Sequence, residues 1–65
     1  MKILLDKIMY NKNLTVRQVS VLTGIPKSTI GDIVNRRKFP RMDTMEKLAA
    51  GLKVRISDLY ESQFK

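Results

Sequence analysis

LTVRQVSVLTGIPKSTIGDIVN, Leu14 to Asn35, decides the fold of this 65-residue chain. It reads as two short helices joined by a tight turn. Gly24 marks the turn, because a chain leaving a helix with positive φ is best served by glycine. Thr15 is placed as an N-cap, and Gln18, three residues on, completes a capping box. Leu14 and Val19 flank the cap at the spacing of a hydrophobic staple. Beyond the turn, Ile30, Ile33 and Val34 fall on one helical face. Ser28, Asp32 and Asn35 fall on the opposite face, with Lys27 and Thr29 beside it.

N-terminal to this stretch, the spacing predicts a first helix from Met1 to about Asn11, with Leu4, Leu5, Ile8 and Met9 inward. Asn11-Lys12-Asn13 stops it, since asparagine accepts a left-handed cap. The second helix runs from about Val16 to Thr23, with Val19 and Leu22 inward. Ser20 is small enough for the third helix to cross closely. That third helix starts at Pro26 or Lys27 and ends near Asn35, with proline suited to a helix start. Gly31 inside it costs about 0.5–1 kcal/mol relative to alanine. It implies close packing there, room for a ligand, or simple drift. Asn35 to Arg41, NRRKFPR, is a basic loop stiffened by Pro40. Met45, Leu48, Ala49 and Leu52 set a fourth helix over Met42 to Leu52, with Asp43 and Glu46 favoured in its first turn. Ile56, Leu59 and Tyr60 set a fifth, from about Ile56 to Glu61. No alternating run or hairpin dipeptide signals a strand. The expected fold is all-α: five short helices in one domain over 1–65. Its expected core holds Leu5, Ile8, Val19, Leu22, Ile30, Ile33, Leu48 and Leu52.

Composition narrows the function. Thirteen Lys and Arg against six Asp and Glu give a formal charge of +7. On so small a domain that points to an anionic partner, nucleic acid first, with a plain solubility surface as the bland alternative. Cysteine and histidine are absent. This removes thiolate and imidazole metal ligands and the usual general base, so no metal or cofactor is expected and an enzyme is disfavoured. The lack of cysteine fits a reducing cytoplasm. Asp6 and Lys7 interrupt the apolar start, so neither a signal peptide nor a membrane span is expected. A helix with an aliphatic inner face and a small, hydrogen-bonding outer face suits a DNA groove.

Taken together, the stretch from Leu14 to Tyr60 resembles the lambda-repressor-like, XRE/Cro-type helix-turn-helix family. The matching features are Leu14-Thr15, Val19 and Ser20 in the second helix, Gly24-Ile25 at the turn, and Ile30 and Ile33 in the third. Pro40, Leu48-Ala49, Leu52, Ile56 and Leu59 follow in register. The resemblance implies a transcriptional regulator that binds duplex DNA sequence-specifically, of the repressor type, with helix-turn-helix 15–36 and recognition helix 26–35 in the major groove. Lys27, Ser28 and Asp32 are the expected base contacts: lysine donates to guanine, serine reads either kind of edge, and aspartate accepts from cytosine. Val16, Arg17, Thr29, Asn35, Arg36, Arg37, Lys38 and Arg41 are the expected phosphate contacts, which set register. The partner would be a pseudo-palindromic operator bound by a weak homodimer, with Tyr60 and Phe64 offering apolar surface.

Several positions depart from the family pattern. Val16 replaces the usual glutamine, leaving its backbone N–H for phosphate. Pro26, Arg41 and Arg55 replace Ser or Thr caps. Val34 and Met9 stand where an ion pair is common. Arg36 replaces a glycine, so Asn35 is expected to take the left-handed conformation. An unpaired Asp32 would be costly near DNA, so it should read a base or pair with a neighbour such as Arg36. The alternative function is a protein-interaction module on the same fold, an antitoxin or antirepressor-binding adaptor working through an apolar patch.

Overall fold

The computed structural model describes all 65 residues. Four α-helices carry the fold: α1 (Leu5–Lys12), α2 (Val16–Thr23), α3 (Lys27–Val34) and α4 (Met42–Leu52). A single 3₁₀ turn, Ile56–Leu59, follows α4. Two short strands, β1 (Lys2–Ile3) and β2 (Tyr60–Glu61), pair antiparallel and bring the two ends of the chain together. The fold is mostly helical, as expected, but two of the five expected helices change character.

The first begins at Leu5 rather than Met1. Lys2 and Ile3 are extended against Glu61 and Tyr60, and the Leu4 N–H donates to the Leu59 carbonyl at 2.8 Å. Pairing satisfies backbone groups that a longer helix would have left orphaned at its N-terminus, and β-branched Ile3 suits an extended backbone. The expected fifth helix is one 3₁₀ turn for the same reason: Tyr60, at φ −146° and ψ 159°, already belongs to β2. Strands of two residues are too short for any alternation to register in the sequence.

Local signals set the other boundaries. Asn13 ends α1 in the left-handed conformation at φ 58°. Thr15 caps α2 through its Oγ1, which accepts from the Gln18 N–H at 3.2 Å. The Gln18 side-chain oxygen accepts from the Thr15 N–H at 2.8 Å. Pro26 and Arg41 provide no side-chain cap. At Arg55 the help is reversed, because the Asp58 carboxylate accepts the Arg55 N–H at 3.0 Å.

The core is a single cluster of eleven buried residues, all apolar. Leu5, Val19, Ile30, Ile33, Leu48 and Leu52 are in it as expected. Ile8 is half-buried. Leu22 is a correction: it is 51% exposed. The inward stripe of α2 runs through Val16, Val19, Ser20 and Thr23 instead, at helical i, i+3, i+4, i+7 spacing. Two of those places hold hydroxyls that can be buried because each bonds backbone: Ser20 Oγ to the Ile25 carbonyl at 2.6 Å and Thr23 Oγ1 to the Val19 carbonyl at 2.7 Å. Met9 is buried and Val34 half-buried, and both pack on the same core where the family pattern often has charge.

Candidate nucleic-acid interface

No polar or charged residue is fully buried, and the densest concentration of charge follows from how α2 hands over to α3. Gly24 turns the chain at φ 74°. Its N–H donates to the Ser20 carbonyl at 2.9 Å. The Ser20 hydroxyl then ties Ile25 back onto α2, and the Ile25 N–H reaches Thr23 Oγ1 at 3.3 Å. Ile25 is itself buried. Three hydrogen bonds and one core side chain therefore fix the angle between the two helices, so Ser20 does more than permit a close crossing.

Ile30 and Ile33 anchor the inner face of α3. The outer face carries Ser28, Gly31, Asp32 and Asn35 along one line, flanked by exposed Lys27 and half-buried Thr29. Gly31 adds no bulk to that face, and a Cβ placed there would meet nothing within 4 Å. This excludes close packing as the reason for that glycine. At the start of α2, Val16 is half-buried while Arg17 is exposed. The capping box uses the Gln18 N–H and leaves the Val16 and Arg17 amides at the helix terminus for an anion.

The basic loop is built around Asp32. Its backbone carbonyl accepts from the Arg37 N–H at 2.8 Å and the Lys38 N–H at 3.3 Å. Its carboxylate faces Arg37 Nε and Lys38 Nζ, each at 3.8 Å. Asp32 thus pairs with the two residues beyond Arg36, and Arg36 pairs instead with Asp6 of α1 at 3.9 Å. The left-handed residue is also not the expected one. Asn35 keeps φ −86°, and Arg36 takes φ 61°, the place where the family often has glycine. The chain reverses there so that the Arg37 and Lys38 amides can turn back onto Asp32. These ion pairs are long, with their cations exposed, and so are weak, which leaves the cations available to another anion. Arg41, paired at 3.5 Å with Asp43 of α4, extends the basic edge.

Lys27, Arg36, Arg37, Lys38 and Arg41 stand against Asp32 alone in the segment from Pro26 to Arg41. A polar helix face with free terminal amides beside a cationic rim is complementary to a groove flanked by phosphates. A family model, the Cro/C1-type HTH DNA-binding domain, matches residues 4–65. The chain belongs to this family. No curated protein and no solved structure matches it. The Cro/C1-type assignment makes the chain a DNA-binding domain of the transcription-regulator class, and it covers α1 and the closing turn as well as the helix-turn-helix. No helix in it is long and apolar enough to cross a membrane.

Sequence reasoning named the residues of this surface but missed two of its supports. The Asp32 carbonyl as loop anchor leaves no signal in residue type. Gly51 could have been found: its position in α4 is where the C-terminal end of α2 packs, and a Cβ there would lie 2.7 Å from the Leu22 carbonyl oxygen.

Proposed function

We propose that this domain is a sequence-specific repressor that lays α3 in the major groove of duplex DNA. The carrying observation is that one continuous surface joins the unobstructed outer face of α3 to the cationic loop. Lys27 and Ser28, at the exposed N-terminal turn of α3, read base edges. Asp32, whose two carboxylate oxygens face Arg37 and Lys38 separately, accepts from a cytosine amine with a remaining lone pair. Thr29, Asn35, Arg36, Arg37, Lys38 and Arg41 hold phosphates, together with Arg17 and the Val16 amide on the opposite side of the groove.

One such unit reads few base pairs, so two copies on a pseudo-palindrome follow, with half-sites ~34 Å apart. Phe64 is 88% exposed. It is free for a small isologous contact beside Tyr60. Selection of bound sites from a random duplex pool tests this reading. It should return a motif of two inverted half-sites about one helical turn apart. Recovery of unselected sequence would remove sequence-specific regulation from the account.

A further inference from the structure

β1 has one paired edge and one open edge. Because the Leu4 N–H donates to Leu59 across the sheet, strand alternation turns the N–H and carbonyl of Ile3 away from β2. No hydrogen bond within the chain reaches either group. Lys2 and Ile3 line a cleft of about 390 Å³ together with Arg36, Lys38 and Phe39 of the basic loop, and no residue of β2 lines it. Ile3, Ile33 and Phe39 supply its apolar walls, and Lys2, Arg36 and Lys38 its charge. Phe39 is 71% exposed, a large apolar ring that the fold leaves unburied beside an unsatisfied strand edge.

We propose that this cleft takes an extended, acidic-and-apolar segment of a partner protein, added as a strand to the open edge of β1. Backbone groups of Ile3 supply the pairing, and alternate side chains supply the selectivity. Ile3 is half-buried and Lys2 exposed, so alternate residues of an added strand fall on an apolar and on a solvent side, which suits the mixed apolar and cationic lining of the cleft. A second copy of this chain is disfavoured as occupant. A two-fold contact at this edge would set Lys2, Arg36 and Lys38 against their own mates, and an edge lysine opposes self-pairing. Arg36 and Lys38 are also proposed phosphate contacts, so a seated segment competes with DNA. That coupling rests on the proposed function, whereas the binding of the segment does not.

The test uses the full chain, followed by nuclear magnetic resonance, and a blocked hexapeptide of alternating Glu and Val. The peptide should shift the Phe39 ring signals and slow exchange of the Ile3 amide by about tenfold or more. A Lys-Val peptide of the same pattern should not, nor should the Glu-Val peptide with N-methylated backbone. Phe39→Ala should weaken the peptide by about fivefold with the amide spectrum otherwise retained. Equal response to the Lys-Val peptide, no response at Ile3, or an Ile3 amide already protected in the free chain by self-association would overturn the proposal. So would protection of Ile3 by duplex DNA alone, which would give the cleft to nucleic acid. Release of a bound duplex by the Glu-Val peptide, at constant ionic strength, supports the coupling, and retention of the duplex overturns it.

Discussion

Arg36 is the residue where the requirements of fold and function oppose each other. Its left-handed backbone would be relaxed in glycine, and a non-glycine residue there costs about 1–2 kcal/mol. Its Asp6 partner is exposed and returns little of that. Arg36→Gly should therefore raise stability by about 1 kcal/mol, or about 4–8 °C in melting temperature for a domain of this size. The same change should weaken every duplex alike through one lost phosphate contact. Calorimetry and DNA titration of the variant check both directions, and a stability loss would show that the charge matters more to the fold than the backbone. Gly31 gives the complementary case. Alanine there meets no atom and should add about 0.5–1 kcal/mol of helix stability. Because Gly31 lies between Ser28 and Asp32 on the outer face, the added methyl should also reduce affinity for the preferred site. An unchanged affinity would mean that this part of α3 does not approach DNA closely. Asp32→Asn keeps the backbone anchor and frees Arg37 and Lys38. Non-specific binding should strengthen while preference at one base pair per half-site falls. An equal gain on every sequence would make Asp32 a loop anchor only.

At the scale of elements, legibility followed from whether a signal was local. The Thr15–Gln18 box, the Gly24 turn and the Asn13 stop each rest on neighbours a few residues apart, and all three could be read directly. The period of α4 was equally plain. The inner stripe of α2 was not, because Ser20 and Thr23 take inward places while Val21 and Leu22 lie outside. A hydroxyl that finds a backbone partner looks polar in sequence and behaves as core. The strands were invisible because each is defined only by the other end of the chain. The placing of the proposed contact residues on α3 and its loop was legible, whereas the pairing of Asp32 and the left-handed Arg36 depend on a loop closing over six residues. The α2–α4 junction makes a test at this scale. Gly51→Ala would push a methyl group against the Leu22 carbonyl, backbone that cannot swing aside. It should cost about 1–3 kcal/mol by overpacking, measured by urea unfolding. A neutral result would mean that the two helices can separate freely.

The whole molecule is small against its proposed target. Its longest dimension is 31 Å, close to the ~34 Å between half-sites, so two copies on one face of DNA meet only at their margins. A small contact of that kind predicts a monomer in dilute solution and two chains per operator. Sedimentation of the free protein and of the complex checks this, and one chain per site would remove the dimer. The +7 charge sets the salt response. Arg37→Ala and Arg41→Ala should each flatten the log–log slope of affinity against salt by roughly one unit per contacting subunit. Binding through α3 and its loop is tested by where DNA touches the chain. Amide shifts on titration with a selected duplex at physiological salt should fall on Val16, Arg17 and the segment from Lys27 to Arg41. Shifts gathered instead on exposed Val21 and Leu22, or spread evenly over the molecule, would contradict it.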